Sequence, residues 1–483
     1  MDKVVLSPAG AVADIADGSS VAIAGFGLAQ RFPTSLLEAL VKTGAKNLTL
    51  VCNSVGQPGQ ALAQLVANRQ ASKLIAAFSA RPGARWTVEE QIAAGQLGME
   101  LVPQGTLVER LRAGGAGLAG FYTPTGVGTD IANGKELRYF DGKPYIFEHA
   151  LRVDYALVRA MRADRMGNLE FRGGSQNFNP SFAKAARVTI AEVDEIVDVG
   201  ELPPNHIGLP GLFVSRVVKA TVQLNQDELI AGRPRRRPAD VPRTYNGKPA
   251  LTREEIAERA ARLLPEGSYV NLGAGIPTLV SNYIGDRDIM MHAENGILGY
   301  AGVVEGDAID PDYYNASGQF VAIRPGASFF DSVTSFEIAR GGKLTAVMLG
   351  AYQVDQDGNL ANWTTPDMVG GGIGGAMDLV SGRSPVIVLM EHCESHANSP
   401  KLIRKCTYPL TGVGCVDTVV TDLALLRRRN GVFVLEEVAP GFSVDEVLEL
   451  TDMDVKVAAE VGAMKAEGAR PERAAVSSFR TVF

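Results

Sequence analysis

The chain has 483 residues, more than one ordinary hydrophobic core accommodates, so we expect two or three domains. Its composition, with 46% apolar and 21% charged residues, is typical of a folded globular protein, and its formal net charge of -7 argues against broad nucleic-acid binding. Because its four cysteines form no Cys-x-x-Cys pair, and it shows neither a signal-like start nor an apolar run near the roughly 18 residues of a membrane span, we expect a cytoplasmic protein without disulfides or membrane contact.

The first part of the chain alternates strand patterns with helix patterns. A helix is predicted at residues 33–44, because Pro33 suits a first helical turn and Gly44 suits a helix stop. Another helix is expected to begin near Leu107. Strands are predicted at residues 21–24, 48–53, 155–160 and 188–193. This alternation predicts a mostly parallel sheet with helices on both faces.

The composition changes between about residues 226 and 248, where prolines and arginines cluster and large apolar residues are few. Such a segment is typical of an interdomain linker. We therefore predict an N-terminal domain at residues 1–225, a linker at 226–248 and a C-terminal domain at 249–483. Thr252, followed by Glu255 three residues later, predicts a capping box at the start of a helix directly after the linker.

Short patterns of the first part recur after the linker. Gly18-Ser19-Ser20-Val21 returns as Gly267-Ser268-Tyr269-Val270, and the turn at residues 164–168 returns at 355–359, each after an apolar strand. The strand and glycine turn around Gly25 return in similar form around Gly273. Two related α/β halves joined by a basic linker are the simplest interpretation.

The sequence has several glycine-rich loops, at residues 25–27, 113–117, 273–275 and 370–375. None completes a dinucleotide-binding fingerprint, and neither a Walker phosphate loop nor a Gly-x-Ser-x-Gly elbow occurs, which argues against hydride transfer, ATP hydrolysis and serine-esterase chemistry. Glycine loops still let a ligand approach the backbone and aim amide N–H groups at negative charge. The loop at 370–375 is therefore either a flexible turn before a helix or a site for an anion or thioester oxygen.

Histidine and cysteine cluster in His392-Cys393-Glu394-Ser395-His396, directly after an apolar strand pattern. Their spacing matches no structural zinc pair, so we predict no metal site. A second histidine, His292, lies two residues before Glu294 and could act as its base. A core or loop histidine is the favoured interpretation of His292.

Glu294 is the carboxylate that these loops surround. An apolar strand pattern precedes it and Asn295-Gly296 suits a turn with positive φ, so Glu294 is expected at the carboxyl end of a strand, where α/β folds bind ligands. An ordinary solvated loop glutamate is the alternative. Because no serine–histidine pair, cofactor motif or clear carboxylate pair accompanies Glu294, its functional interpretation is a covalent nucleophile toward an acyl group.

A series of motifs carries a family resemblance, from about residue 17 to about residue 457. Among them are Pro103-Gln104-Gly105-Thr106-Leu107, Asn177-Phe178-Asn179, Asn271-Leu272-Gly273-Ala274-Gly275, Ala293-Glu294-Asn295-Gly296 and Gly374-Gly375-Ala376-Met377-Asp378. In this order they resemble the class I coenzyme A transferases, specifically the 3-oxoacid (succinyl-CoA:3-ketoacid) type with both subunits fused in one chain. The resemblance implies two related open α/β domains of the CoA-transferase (NagB/RpiA-like) fold, with mostly parallel sheets and flanking helices.

Four places depart from the family pattern. Ala24 stands where the family has a first glycine, and Arg31-Phe32-Pro33 replaces a Gly-x-Pro triplet. Ala293 replaces the serine before the glutamate, and residues 79–84 differ from the family's loop. We expect these differences to concern the substrate acid more than the reaction.

The resemblance implies that Glu294 attacks an acyl-CoA thioester and then carries CoA as a glutamyl thioester. No metal or cofactor is expected, because the CoA thioester is itself a substrate. Gln104 and backbone amides at Gly374 and Gly375 are expected to stabilise oxyanions. The expected substrate-binding residues are Asn53 for the acid, Gly273 and Gly275 for the pantetheine arm, and Asn295.

The expected partners are an acyl-CoA and a small carboxylic acid, and the resemblance implies a homodimer. Succinate with acetoacetate is the family default, while acetate, other short acids and oxoadipate stay open. Two other functions also stay open: an acyl-CoA hydrolase on the same framework, and a non-catalytic ligand-binding homologue.

Overall fold

The computed structural model describes residues 2–26, 31–79, 86–222, 241–395 and 398–464. In the first half the helices are α1 (Pro8–Val12), α2 (Thr34–Thr43), α3 (Ala61–Ala67), α4 (Thr87–Ala93), α5 (Gln104–Gly115) and α6 (Asn179–Ala185). The strands are β1 (Ser20–Ile23), β2 (Leu48–Ser54), β3 (Ala71–Phe78), β4 (Gly98–Leu101), β5 (Gly120–Thr123), β6 (Leu137–Phe140), β7 (Lys143–His149), β8 (Val153–Asp164), β9 (Leu169–Glu170), β10 (Ala186–Val197) and β11 (Arg216–Lys219).

The main sheet of the first half has the strand order β11-β10-β8-β1-β2-β3-β4. All neighbours in this order are parallel, while the short strand β9 folds back antiparallel on β8. Strands β5, β7 and β6 form a small separate antiparallel sheet. The predicted strands all lie within the parallel sheet.

In the second half the helices are α7 (Arg253–Ala261), α8 (Ile276–Leu279), α9 (Ser332–Arg340), α10 (Ala376–Val380) and α11 (Val444–Glu449). The strands are β12 (Thr244–Tyr245), β13 (Lys248–Pro249), β14 (Ser268–Leu272), β15 (Ile289–Ala293), β16 (Ile297–Val303), β17 (Val321–Phe329), β18 (Ala346–Leu349), β19 (Gln353–Asp355), β20 (Leu360–Ala361), β21 (Val386–Leu389), β22 (Leu402–Ile403), β23 (Val416–Val420), β24 (Ala424–Arg429), β25 (Val432–Val438) and β26 (Val455–Ala463).

The main sheet of the second half has the order β17-β16-β15-β14-β18-β21-β23-β24-β25-β26. Its centre, from β15 to β23, is parallel. Antiparallel pairs extend it on both sides, and the last strand, β26, pairs parallel with β25. A parallel β14–β15–β18 centre corresponds to the β1–β2–β8 arrangement of the first half. The predicted fold class, two related α/β halves with mostly parallel sheets and flanking helices, is confirmed.

Local signals in the sequence account for several helix ends. Helix α2 ends at Gly44, whose left-handed conformation (φ 73°) is the one that glycine adopts without strain. The capping box at the start of α7 is formed, because Thr252 accepts the amide of Glu255 and the Glu255 side chain accepts the amide of Thr252. Both features are as predicted.

The predicted loop at residues 113–117 is wrong for Gly114 and Gly115, which lie in the last turn of α5. A Cβ on Gly114 would lie 2.1 Å from the carbonyl oxygen of Leu151, and one on Gly115 would lie 2.7 Å from that of Lys184. These glycines therefore serve close packing of a helix against its neighbours, which a local pattern of glycines does not distinguish from a loop.

The end of the predicted linker packs on the second half. Strands β12 and β13 pair antiparallel, and Tyr245, the last residue of β12, is 1% exposed and donates its hydroxyl to Asp422 (2.9 Å). Most of the predicted linker, residues 226–240, lies outside the described residues, so the domain boundaries stay predictions. No helix in the described ranges is both long and apolar enough to cross a membrane.

Apolar packing joins the two halves. Tyr314, Phe320 and Phe336 of the second half belong to the same buried cluster as Phe26 and Phe178 of the first half. The ring of Phe26 lies 6.1 Å from that of Phe178 and 6.2 Å from that of Tyr314. The two sheets are thereby held together near the carboxyl ends of β1 and β15.

Candidate active site

Glu294 lies in a three-residue turn between β15 and β16, in which Ala293 pairs with Ile297. The amide of Gly296 donates to the carbonyl of Ala293 (3.0 Å), and φ of Gly296 is 104°. A Cβ on Gly296 would lie only 2.0 Å from the carbonyl oxygen of Phe330, so both conformation and space require glycine here. The turn places Glu294 at the carboxyl end of a strand, as predicted.

The carboxyl group of Glu294 lies against the backbone of Gly375. A Cβ built on Gly375 would be 3.5 Å from Cδ of Glu294 and 3.1 Å from the ring of Phe336, so glycine leaves room here for both side chains. Glu294 keeps partial exposure. Burial of the carboxyl group raises its pKa to about 7, a backbone hydrogen bond opposes the rise, and the charge of Asp378 adds to it. A weakly solvated carboxylate of this kind is a stronger nucleophile than one in water.

The glycine loop at residues 370–375 is fixed by the end of β3. Ser79 donates its amide to the carbonyl of Gly371 (2.9 Å), and Gly374 donates its amide to the carbonyl of Ala77 (3.2 Å). Phe78 pairs with Gly372 in an antiparallel bridge. The loop therefore extends the sheet of the first half and is held in place rather than free. Since the Gly374 amide is already engaged, the Gly375 amide is the better candidate for an oxyanion donor.

Gln104 lies at the start of α5 and reaches the same loop from the first half. Its amide donates to the carbonyl of Gly374 (2.8 Å). Its side chain is 0% exposed, yet neither Oε1 nor Nε2 has a hydrogen-bond partner among the described residues. An unpartnered buried amide costs about 1–3 kcal/mol, so such a group is typical of a site that a ligand completes.

Asn53 presents a second buried amide at the same edge of the first sheet. It lies at the end of β2, is 2% exposed, and its Oδ1 has no partner among the described residues. The register of β2 with β3 pairs Ser54 with Phe78, which places Asn53 beside the strand end that holds the glycine loop. The sheet topology thus brings Asn53 and Gln104 to one side of the interface.

Asp378 connects the two halves at this point and has no role in the sequence-based assignment. Its carboxylate accepts the amide of Gly105 (2.8 Å) and the hydroxyl of Thr125 (3.2 Å) from the first half. Arg340 of the second half lies 3.2 Å from the same carboxylate. Burial raises the pKa of Asp378, and Arg340 with the two hydrogen-bond donors opposes that rise. The sequence motif Gly374–Asp378 includes this aspartate, but it does not show which residues the aspartate contacts.

The three remaining predicted substrate-binding residues are Gly273, Gly275 and Asn295, and their positions differ. The pairing of Asn271 with His292 puts Gly273 level with Glu294 on the neighbouring strand, and Gly275 is exposed at the start of α8 with open space around it. Asn295 donates Nδ2 to the carbonyl of Tyr314 (2.8 Å). Only its Oδ1 lacks a partner among the described residues, so part of Asn295 serves the turn itself.

The histidines near the sheet edge are structural. His292 is 0% exposed, its ring nitrogens lie 3.0 Å from Asn271 Nδ2 and 2.9 Å from Ser335 Oγ, and burial lowers its pKa to about 4. His392 is likewise buried, with its ring between two threonine hydroxyls at 2.9 Å. His396 lies outside the described residues. Within the described ranges no group of three His, Cys, Asp or Glu side chains is arranged to hold a metal ion.

A family model for Coenzyme A transferase matches residues 5–220 and 253–450. The chain belongs to the coenzyme A transferase family. It is 41% identical over 465 residues to mouse mitochondrial succinyl-CoA:3-ketoacid coenzyme A transferase 2A, an alignment that covers 92% of this chain and 88% of the mouse protein. The human mitochondrial transferase 2 is also 41% identical, with 93% of this chain and 89% of that protein covered. This coenzyme A transferase is an enzyme, as predicted from its motifs.

Two further comparisons concern the arrangement of the chain. In Xanthomonas campestris pv. campestris, one separately encoded subunit of a succinyl-CoA:3-ketoacid coenzyme A transferase is 49% identical over 204 residues, which covers 42% of this chain and 83% of that bacterial protein. A solved structure of the acyl-CoA transferase YdiF from Escherichia coli O157:H7, a thioester complex with CoA, superposes with a TM-score of 0.76 over 96% of this chain and 95% of YdiF at 20% identity. The YdiF likeness shows a shared fold, and the single chain combines what the Xanthomonas relative divides between subunits.

Proposed function

We propose that this enzyme transfers CoA from an acyl-CoA such as succinyl-CoA to a 3-oxoacid such as acetoacetate, through a covalent thioester on Glu294. The observation that carries the proposal is the position of Glu294 Cδ, 3.5 Å from a Cβ built on Gly375. Gln104, whose backbone amide binds the same loop, has a buried side chain without a partner among the described residues. The names of the mouse and human relatives support the two acids.

In the first half-reaction a carboxylate oxygen of Glu294 attacks the thioester carbonyl of the donor. The C–S bond breaks, CoA leaves as a thiolate, and a mixed anhydride remains on Glu294. The thiolate then attacks Cδ of Glu294, the anhydride C–O bond breaks, and the donor acid leaves as a carboxylate. The acceptor carboxylate reverses the sequence, so no net proton is taken up or released.

Each addition step places negative charge on a carbonyl oxygen. Donors for that oxygen must lie near Cδ of Glu294, and the Gly375 backbone and Gln104 Nε2 are the groups suited to this role. Within the described ranges neither polar atom of the Gln104 side chain has a partner, so Nε2 is available to donate to the oxyanion. That hydrogen bond strengthens as negative charge develops, which favours the transition state over the bound substrate.

The anhydride and the thioester both hydrolyse if water reaches them. The interface between the halves limits that access, because Phe78 and Phe336 pack against Gly374 and Gly375 beside the carboxyl group. We assign Asn53 to orient the acid and the turn at Gly273 and Gly275 to contact the pantetheine arm. No metal or cofactor has a step in this mechanism, since CoA is a substrate.

Intact-mass analysis after incubation with succinyl-CoA or acetoacetyl-CoA tests the proposal. We expect a CoA adduct that maps to Glu294, is absent in Glu294→Gln and persists in Glu437→Gln, a control glutamate that pairs with Arg259. No adduct with either acyl-CoA would contradict the proposal. Thiol release without an acceptor acid would instead indicate an acyl-CoA hydrolase, and binding without turnover would indicate a ligand-binding protein.

We also propose that the enzyme is a cytoplasmic homodimer. The family resemblance supports the dimer, whereas the animal relatives are named as mitochondrial proteins. Light scattering coupled to size-exclusion chromatography measures the oligomeric state, and a monomeric mass would contradict the dimer. Fractionation of the source cells, with a compartment marker for each fraction, tests the location.

A further inference from the structure

Residues 310–315 of the second half form a segment between the first half and the Glu294 turn; we call it the interface segment. Asn295, next to Glu294, donates Nδ2 to the carbonyl of Tyr314 in this segment (2.8 Å). The segment in turn holds Gly174 of the first half, whose amide donates to the carbonyl of Asp312 (2.9 Å) and whose carbonyl accepts the hydroxyl of Tyr314 (3.0 Å). The interface segment therefore connects the turn to the other half of the chain.

Arg31 of the first half makes a two-pronged contact with this segment. Its Nε lies 2.5 Å from Oδ1 of Asp312 and its Nη2 lies 2.7 Å from Oδ2 of the same carboxylate. The remaining nitrogen, Nη1, lies 2.6 Å from Oδ2 of Asp194. The side chains of Arg31 and Asp312 are 13% and 1% exposed, so the pair is shielded from water. A shielded, bidentate pair fixes geometry far better than an exposed one.

The contact belongs to a network of alternating charges across the interface. Arg172 pairs with Asp310 and with Asp312 (3.0 Å), and Arg159 pairs with Asp194 and Glu192. Burial would lower the pKa of Arg31, but Asp312 and Asp194 raise it above its ordinary value, so the guanidinium stays charged. Each of the four acids of the network therefore contacts at least one of the three arginines, and Asp312 and Asp194 each contact two.

Arg31 also lies at one of the places where this chain departs from the family pattern. It stands in the triplet Arg31-Phe32-Pro33, where the resembled family has Gly-x-Pro. Its backbone has φ 54°, a conformation that a non-glycine residue keeps only where its surroundings hold it. Phe32 contributes to that support, because its ring lies over Gly25, where a Cβ would meet it at 2.7 Å.

We propose that Arg31 is a positioning residue for the transfer reaction: its bidentate pair with Asp312 fixes the interface segment, and through Tyr314 and Asn295 it holds the Glu294 carboxylate against Gly375. This inference rests on the proposed role of Glu294 as nucleophile. Arg31 has no free fork for a substrate carboxylate, since Asp312 and Asp194 occupy three of its nitrogens.

The test compares Arg31→Met, Arg31→Lys and the matched control Arg259→Met in single-turnover formation of the Glu294–CoA adduct. Arg259 makes a bidentate pair with Glu437 (2.5 and 2.8 Å) within the second half, and its side chain is 15% exposed, close to the 13% of Arg31. We expect Arg31→Met to slow adduct formation by about tenfold to a hundredfold with little change in KM for the acyl-CoA. Arg31→Lys should recover only part of the rate, because an ammonium cannot make the bidentate contact.

The control separates positioning from stability. Arg31→Met and Arg259→Met should both lower the thermal midpoint, but only the former should slow adduct formation. Asp312→Asn should also slow it. The double variant Arg31→Met/Asp312→Asn should lose less than the sum of the two single losses, because both changes break the Arg31–Asp312 contact, whereas Arg31–Asp194 and Arg172–Asp312 are each affected by one change only.

Three outcomes would overturn the inference: a wild-type rate in Arg31→Met, fully additive losses in the double variant, or a raised KM for the acid with an unchanged adduct rate. The last outcome would make Arg31 a substrate ligand. A wild-type enzyme that forms no adduct at Glu294 would instead remove the proposed function itself, and the two failures are thus distinguishable.

Discussion

The two halves of the chain build the same turn and yet present different groups at their sheet edges. Asp164 Oδ1 accepts the backbone amides of the second and fourth residues after it at 2.9 and 3.0 Å, and Asp355 Oδ1 does the same at 3.1 and 3.0 Å. Asn168 and Asn359, which close these turns, each accept a glycine amide at 2.8 Å through Oδ1. The scaffold is repeated down to individual hydrogen bonds.

The difference appears where the second strand of each half ends. In the first half the neutral Asn53 is the second-last residue of β2, whereas in the second half β15 leads into Glu294. The first edge therefore offers neutral amides, and the second offers carboxylates. A nucleophilic carboxylate that faces neutral donors is not repelled, whereas a facing carboxylate would raise its pKa further. The shared scaffold thus supports a single site with two different sides. We call the second-half side, with the carboxylates of Glu294 and Asp378, the charged wall, and the first-half side, with the amides of Asn53 and Gln104, the neutral wall.

The largest expected effect comes from moving the charged wall. Glu294→Asp withdraws the carboxylate by one methylene from Gly375, and we expect adduct formation with succinyl-CoA to slow by about a thousandfold because the reacting atoms lose their alignment. The thermal midpoint should change little. Single-turnover mass spectrometry measures the rate, and a loss smaller than about fivefold would show that the turn does not set the position of the nucleophile.

The next effect concerns Gly296, in the turn that holds Glu294. It is compared with Gly267 and Gly18, equivalent glycines of the two halves that lie outside the site. Gly296→Ala should lower the free energy of unfolding by about 3 kcal/mol, because it combines an unfavourable positive φ with a Cβ that meets the Phe330 carbonyl at 2.0 Å. Gly267→Ala, at φ 76° with nothing within 4 Å, should cost only about 1 kcal/mol, as should the equivalent Gly18→Ala. Urea unfolding measures all three, and equal losses would contradict this account.

Features of the fold that depend on neighbouring residues could be predicted from the sequence. The helix stop at Gly44, the capping box at Thr252 and the turn at Asn295-Gly296 all follow from contacts within a few residues. The core position of His292 also follows from its place in an apolar strand. Such signals are local, so one sequence suffices to read them.

The composition of the site depends on contacts between distant parts of the chain. Asp378 accepts from Gly105 and Thr125, which are 273 and 253 residues away, and no local pattern shows those partners. Gly114 and Gly115 were misassigned to a loop for the same reason, since their close neighbours Leu151 and Lys184 come from other segments. Motifs identified Glu294 and Gln104, but only the fold shows that they lie at one glycine loop.

The neutral wall is tested by replacing its buried amide. Gln104→Met keeps the shape but removes both polar atoms, and we expect kcat to fall by about a hundredfold, the usual cost of losing one oxyanion donor. Gln91→Met is the matched control, because Gln91 is also buried in the first half but donates to the carbonyl of Val66 (2.8 Å). The control should lose stability and keep its kcat. Equal kcat in both variants would exclude Gln104 from oxyanion stabilisation.

The smallest effect concerns the charge that Asp378 adds to the second wall. Glu294 must be ionised to attack, and burial followed by the charge of Asp378 raises its pKa to about 7. Adduct formation should therefore rise with pH, reach half of its maximum near that value and level off at higher pH. Asp378→Asn removes the neighbouring negative charge while its carbonyl oxygen can still accept the Gly105 amide. The pKa of Glu294 should then fall, and the variant should keep a larger fraction of its own maximal rate at pH 6 than the wild type does.

The control for this pH profile is Asp355, which lies in the turn that the two halves share. Asp355 is buried like Asp378, but it accepts hydrogen bonds from its own turn and from the Cys406 amide (3.0 Å) rather than from the residues around Glu294. Asp355→Asn should therefore leave the midpoint of the profile unchanged even if it lowers stability. If Asp378→Asn shifted the midpoint upward, loss of hydrogen bonds that support Glu294 would outweigh the loss of charge. A downward shift in Asp378→Asn alone would show that the two buried carboxylates act as one charged wall, with Glu294 ionising against the field of Asp378.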